Sequence, residues 1–145
     1  MSRIVCDEKR CSGCLACVVA CIDQHYDETV KNAVSCRIYE KKTSSTGLVC
    51  YKTRSCLHCT DAACMKVCPT EALVRDARGF VIPVREKCIG CRACAAACPH
   101  DIPRFEGYGK LVKCDGCSAR VACGLKPACV STCNTGCLKL ELDEN

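Results

Sequence analysis

The sequence predicts a small α+β fold in which short hairpins and helical turns wrap repeated metal-binding units, and three observations lead there. Cysteine makes up 21 of the 145 residues, far above the level that marks a cysteine-built scaffold. Those cysteines recur in sets of similar spacing along the whole chain. Large aromatics are scarce, with no Trp, 2 Phe and 4 Tyr, so an ordinary apolar core would be thin and bound metal is expected to supply the missing stability.

The sets come in four copies. Residues 11–21 read CSGCLACVVAC and residues 88–98 read CIGCRACAAAC, both with gaps of two, two and three residues. Residues 56–69, CLHCTDAACMKVCP, widen one gap to four, and the last set is split into CDGC at 114–117 and CVSTC at 129–133. Each set thus has three cysteines that belong together and a fourth that follows after a gap of three, which is an internal repeat of one unit. Short helical turns are expected to follow each set, because VVAC and AAAC continue into polar residues.

Between the sets, two hairpins and one edge strand are expected. Residues 71–84, EALVRDARGFVIPV, show an apolar run, a turn through Asp76 to Gly79, and a β-rich run. Residues 36–51, CRIYEKKTSSTGLVCY, read as a longer hairpin with a polar tip at 41–47. LKLEL at 138–142 alternates as an edge strand does.

No apolar signal region opens the chain and no stretch approaches a membrane-spanning length. An odd number of cysteines without an export signal favours metal binding in a reducing compartment over disulfides, so the expected location is cytoplasmic, with no direct membrane insertion. Export alongside a signal-bearing partner is compatible with the same residues. The formal charge of +5 counts cysteines as neutral. With sixteen thiolates around four cores of charge about +2 each, the balance becomes about −3. Lys and Arg then offset cofactor charge, and no basic run alternates with aromatics, so no nucleic-acid partner is expected.

A cubic 4Fe–4S cluster takes four soft thiolates at tetrahedral corners. Cysteines two residues apart let one tight loop wrap three corners with backbone N–H groups facing the sulfurs. The fourth cysteine, a turn later and followed by proline in CIGCRACAAACP, cannot fold back to the last corner and ligates a neighbouring cluster instead. Zinc is the competing reading for paired CxxC elements. It does not require a C-x2-C-x2-C-x3-C run, and that run occurs twice in full here, beside a widened variant.

The stretches CLHCTDAACMKVCPTEAL, GFVIPVREKCIGCRACAAACPHDIPRF and KCDGCSARVACGLKPACVSTC, with residues 11–21, span nearly the whole chain. In them the sequence resembles the four-cluster ferredoxin-like electron-transfer subunits of molybdenum and tungsten oxidoreductases, among them those of dimethyl sulfoxide reductase, formate dehydrogenase and tungsten aldehyde oxidoreductases. The resemblance implies a duplicated two-cluster bacterial ferredoxin-like fold in a single domain over residues 1–145. An inner module of about 52–108 would be inserted into an outer one of about 1–51 plus 109–145. It implies four 4Fe–4S clusters, held respectively by Cys56, Cys59, Cys64 and Cys98; by Cys88, Cys91, Cys94 and Cys68; by Cys11, Cys14, Cys17 and Cys133; and by Cys114, Cys117, Cys129 and Cys21. Departures from the family pattern are Ile22 and Asn134 in place of proline after Cys21 and Cys133, and only twelve residues after Cys133, where membrane-anchored relatives extend.

Five cysteines stand outside these sets: Cys6, Cys36, Cys50, Cys123 and Cys137. No CxxC nucleus exists among them, so no fifth cluster is expected. Cys137 in CNTGCL aligns with Ala72 in CPTEAL and reads as a small buried residue, while Cys36 and Cys50 flank the second hairpin as facing free thiols. His25, His58 and His100 stand near cluster loops and read as packing beside sulfurs rather than as ligands.

No phosphate-cradling loop, activated nucleophile or dinucleotide fold is present, so catalytic residues are not expected here. The chain reads as an electron-transfer subunit for anaerobic metabolism, and catalysis falls to a large molybdopterin or tungstopterin partner. A second redox protein, whether a flavin subunit, a hydrogenase or a ferredoxin, would stand at the other end. Alternatives are a freely diffusing polyferredoxin, an electron-transfer subunit of a hydrogenase or carbon monoxide dehydrogenase, and an iron–sulfur sensor. A sensor leaves a cluster incompletely ligated, whereas sixteen cysteines here complete four sets.

Overall fold

The computed structural model describes residues 1–144. Its elements follow in the order β1 (Arg3–Cys6), α1 (Ala16–His25), β2 (Ile38–Thr43), β3 (Val49–Arg54), α2 (Ala63–Lys66), β4 (Leu73–Arg75) and β5 (Val81–Pro83). A 3-10 turn at Arg85–Lys87 leads to α3 (Ala93–Ala97), β6 (Arg104–Phe105), β7 (Leu111–Val112), α4 (Ser118–Ala122), α5 (Ala128–Thr132) and β8 (Leu138–Glu141). Short helices and strands mix along the chain, as an α+β fold requires. Every sheet described is two-stranded and antiparallel.

Helix placement corrects the sequence reading. The helices start inside the cysteine sets rather than after them: α1 carries Cys17 and Cys21, α2 carries Cys64, α3 carries Cys94 and α5 carries Cys129. A gap of three residues between the third and fourth cysteine is about one helical turn, so the turn itself separates the two sulfurs along the axis. The helix starts are set by backbone: Leu15 and Arg92, each directly after the second cysteine of its set, are left-handed at φ 63 and 64. Helix length then depends on the next residue. Pro99 follows Cys98, and α3 stops at Ala97, since proline disfavours helix in the residue before it and cannot donate. Ile22 follows Cys21, and α1 runs on to His25.

The hairpin of β4 and β5 has the expected turn. Asp76 Oδ1 accepts from the backbone N–H of Arg78 at 2.9 Å and of Phe80 at 2.8 Å, and Gly79 takes φ +87. The second hairpin is longer than its composition suggests. β2 and β3 pair from Ile38 opposite Arg54 to Thr43 opposite Val49, and the tip shrinks to the loop closed by Ser44 N–H on the Leu48 carbonyl at 2.8 Å. Lys41 and Lys42, expected in the tip, lie in the ladder opposite Tyr51 and Cys50. Their polarity marks an exposed strand rather than a turn, and Tyr39 stacks on Tyr51 with ring centroids 6.1 Å apart.

The strand at Leu138–Glu141 alternates buried and exposed as expected, and it pairs with β1, placing Cys6 opposite Leu138 and Arg3 opposite Glu141. β1 itself has no counterpart in the sequence reading; four residues ending in a cysteine show no period. The same holds for β6 and β7, two residues each.

Three small apolar clusters replace a single core. One joins Ala62, Ala72, Leu73, Val81, Cys88, Cys94 and Leu111. A second, near the chain ends, joins Ile4, Cys17, Cys129, Cys137 and Leu138, and a third joins Cys21, Cys36, Ile38, Cys56, Ile102, Val112 and Cys114. Phe80, with none of its surface exposed, lies against Gly116, where an added Cβ would stand 2.4 Å from the ring. Glycine is therefore required inside the CDGC loop by both this contact and its φ of +69.

Candidate metal centres

The cysteines of the four sets converge across the chain rather than within it. One cavity is lined by Cys56, Cys59 and Cys64 together with Cys98. A second is lined by Cys88, Cys91 and Cys94 together with Cys68, and a third by Cys11, Cys14 and Cys17 together with Cys133 and Cys137. In each, three thiols come from one loop and the fourth from a different set. Among the remaining four, Cys21, Cys117 and Cys129 are near enough for their thiolates to repel one another, as are Cys114 and Cys129.

The loops that carry these cysteines are shaped for anionic sulfur. Gly13 and Leu15 have positive φ in the first set, and Gly90 and Arg92 repeat this in the third. Gly116 and Cys117 are left-handed in the last. Such turns aim successive N–H groups inward: the His58 N–H stands 3.3 Å from Cys56 Sγ, that of Gly116 3.4 Å from Cys114 Sγ, and that of Ala72 3.2 Å from Cys68 Sγ.

Protein groups alone do not satisfy this site. Burial pushes the Cys114 thiol up to about 12 and those of Cys94 and Cys129 up to about 11, so a positive core is what makes them thiolates. Arg37, 4% exposed, donates from Nη1 to Ser55 Oγ at 3.2 Å and to Cys129 Sγ at 3.5 Å, and from Nη2 to Thr53 Oγ1 at 3.1 Å. Its Nε is buried without a protein partner. A buried guanidinium donor beside Cys129 calls for a further acceptor, and the sulfide of an iron–sulfur core is one. The donor sets and this orphan nitrogen fit such a group.

The sequence profile described as a 4Fe-4S dicluster domain matches residues 47–143. The chain belongs to this 4Fe-4S dicluster family. As a member it is an iron–sulfur protein, with 4Fe–4S clusters as cofactor. Among curated relatives, the B subunit of the anaerobic dimethyl sulfoxide reductase of Haemophilus influenzae is 42% identical over 139 residues, covering 88% of this chain and 67% of that protein. The thiosulfate reductase electron transfer subunit PhsB of Salmonella typhi is 40% identical over 144 residues, covering 96% and 75% respectively. The formate dehydrogenase-O iron-sulfur subunit of Escherichia coli is 35% identical over 157 residues, covering 96% of this chain and 52% of that protein. The chain therefore spans about two thirds of the dimethyl sulfoxide reductase relatives and about half of the formate dehydrogenase one. Among the described residues no helix is long and apolar enough to cross a membrane.

Within this 4Fe-4S dicluster protein, two histidines lie against cysteines of the four sets. His58 is fully buried, and its Nδ1 accepts from the Val81 N–H at 2.9 Å, which assigns the ring hydrogen to Nε2, 3.9 Å from Cys114 Sγ. Burial, reinforced by nearby Lys113, holds its pKa down at about 3, so the ring is neutral. With its N–H on Cys56 and its ring on Cys114, His58 bridges two sets. His25 is the opposite case. Its Nε2 meets Asp115 Oδ1 at 3.1 Å and its Nδ1 meets the Cys21 carbonyl at 2.8 Å; Asp115, then Cys21, raise its pKa to about 11. His100 lines the cavity of Cys56 through Cys98.

Two residues escape sequence reasoning. Arg37 and Lys113 are buried cations, and Lys113 Nζ donates to the carbonyls of Val81 at 2.5 Å and Cys114 at 2.7 Å while lining the Cys56 cavity. Their signal is a lone cation adjoining a cysteine in an apolar run, CRIY and LVKC. The facing thiols expected at Cys36 and Cys50 are corrected. Cys50 is exposed and pairs with Lys42 in the ladder, whereas buried Cys36 gathers with Cys21 and His25, their ligand atoms all within 4.8 Å. The hairpin extends past residue 51, so its flanks are not opposite each other. Cys137 is buried at 4% exposure, as expected of the Ala72 position.

Proposed function

We propose that the chain carries four 4Fe–4S clusters and is the electron-transfer subunit of an oxidoreductase complex. It passes electrons one at a time between a catalytic molybdopterin or tungstopterin subunit and a second redox partner, and it acts in the cytoplasm. The observation that carries this reading is the crossed lining of three cavities, each by three cysteines of one loop and a fourth from another set. The ligand sets are Cys56, Cys59, Cys64 and Cys98; Cys88, Cys91, Cys94 and Cys68; Cys11, Cys14, Cys17 and Cys133; and Cys114, Cys117, Cys129 and Cys21. Such pairing makes a duplicated fold of an inner two-cluster module, about 52–108, inserted into an outer one. The clusters supply one-electron oxidation and reduction. The chain's residues do the rest: thiolates fix position, inward N–H groups and the buried cations Arg37 and Lys113 offset negative charge, and neutral His58 donates from one set toward the next. Names of relatives as electron transfer or iron-sulfur subunits support the role, and catalysis is assigned to the partner.

Anaerobic purification tests it. Iron and acid-labile sulfide should each approach about sixteen per chain, and a pterin-bearing large subunit should co-purify. Zinc in place of iron, or half that iron with all sixteen cysteines unmodified, would refute the cluster assignment; a full complement with no catalytic partner would favour a free polyferredoxin.

Arg37 provides a second check. A unit charge about 6 Å away at an effective dielectric of about 20 is worth on the order of 3 kcal/mol, or about 100 mV for one electron. Removing a cation disfavours the reduced, more negative state, so Arg37→Gln should lower the midpoint potential of the Cys114, Cys117, Cys129 and Cys21 site by roughly that amount. A redox titration followed by electron paramagnetic resonance reads the shift, and an unchanged potential would remove Arg37 from this role.

A further inference from the structure

The third cavity has one thiol too many. Cys11, Cys14, Cys17 and Cys133 complete a ligand set, yet Cys137 lines the same cavity with its Sγ 3.4 Å from that of Cys133. Its sulfur also lies within 4.8 Å of those of Cys6 and Cys11. The local backbone explains why it faces the cavity. Cys133, Thr135, Gly136 and Cys137 repeat the loop of Cys68, Thr70, Glu71 and Ala72, with Gly136 at φ +66 and Glu71 at φ +52, and Ala72 lines the cavity of Cys68 in the same way. A position whose counterpart is a methyl group on a cavity wall here carries a sulfur. The other fourth cysteine with an apolar residue four positions on is Cys98, followed by Ile102.

We propose that Cys137 is a reserve thiolate ligand for the cluster of Cys11, Cys14, Cys17 and Cys133, able to take the iron corner that Cys133 occupies. The exchange involves no oxidation: Cys137 releases its thiol proton and forms an Fe–S bond while the Fe–S bond to Cys133 breaks and that sulfur takes up a proton. Two sulfurs in van der Waals contact on one wall need only side-chain rotation for this. Neither Cys68 nor Cys98 has such a neighbour, so the inner clusters lack the device.

The proposal rests on the four-cluster reading, and the test separates the two. Iron and labile sulfide per chain, with electron paramagnetic resonance of the reduced protein, are measured on anaerobically purified wild type and variants. Wild type and Cys137→Ala should both hold about sixteen irons. Cys133→Ala should keep that count with an altered resonance from the new ligand, and the double variant C133A/C137A should lose between about one iron, leaving a three-iron core, and about four. Cys133→Ala as iron-poor as the double variant overturns the proposal while a full wild type preserves the cluster reading; an iron-poor wild type overturns that reading itself. Should Cys133→Ala not accumulate, the reciprocal pair decides. Cys68→Ala should lose iron and C68A/A72C should regain it, and a double variant as iron-poor as Cys68→Ala overturns the proposal.

Discussion

Replacing Cys98 by Ser should deplete the cluster site proposed at Cys56, Cys59 and Cys64, more than thirty residues upstream, and spare the one proposed on Cys98's own loop. Cys98 ends α3 in an extended conformation, at φ −77 and ψ 116, which turns its side chain away from Cys88, Cys91 and Cys94. It lines instead the cavity of Cys56, Cys59 and Cys64. The tight loop that wraps three corners of its own site stays intact, with Gly90 and Arg92 in their left-handed turns. No second thiol stands ready, since the residue four positions on is the buried Ile102. Iron should fall by up to about four per chain, and a site-resolved spectrum or a structure should locate the loss at the Cys56 loop. Loss at the Cys88 loop with the Cys56 site retained would show the crossed assignment to be wrong. Because docking depends on surface, the proposed catalytic partner should keep its activity with an artificial carrier while transfer through this chain falls.

Chelation of iron under reducing conditions should abolish cooperative unfolding altogether. Two-stranded hairpins are marginal by themselves, and every sheet described here has two strands. Apart from α1, with ten residues, the α-helices have four or five, far below the length at which a helix is stable alone. Cysteines themselves make up much of the three apolar clusters, and without iron those thiols lose the centre on which they converge. On the proposed four-cluster reading, ligand binding should therefore supply much of the folding free energy. Circular dichroism on heating should show a broad, sloping change in the apo protein and a sharp one in the holo protein. A sharp transition in the iron-free chain would show that side-chain packing suffices.

Much of this is legible in the residues because cysteine spacing is local chemistry. A gap of two forces a tight loop, a gap of three places the next sulfur a turn away, and those constraints operate before any tertiary contact forms. The hairpin at Leu73–Pro83 is legible for a similar reason: Asp76 and Gly79 specify their turn with their own side chain and φ. The tip of the longer hairpin is not, because Lys41 and Lys42 carry exposure, and exposure does not distinguish an edge ladder from a loop. Nor is helix placement, because apolar residues near VVAC and AAAC show no phase. What starts these helices is the left-handed residue after the second cysteine, a backbone state that Leu15 and Arg92 do not advertise.

The kind of cofactor, and the proposed grouping of three ligands per loop, can be read from spacing alone, since they depend on covalent neighbours. Long-range relations do not. That β1 closes against β8, from Arg3–Glu141 to Cys6–Leu138, brings Cys6, Cys137 and Leu138 beside the Cys11 loop, and nothing in either four-residue strand names its partner. The same packing buries Arg37 against Cys129 and orients His58 between Cys56 and Cys114. It also sets Cys137 beside Cys133 rather than merely four residues from it. Burial, charge proximity and the meeting of distant sulfurs are properties of closure in space, where loops far apart in sequence come to share one cavity.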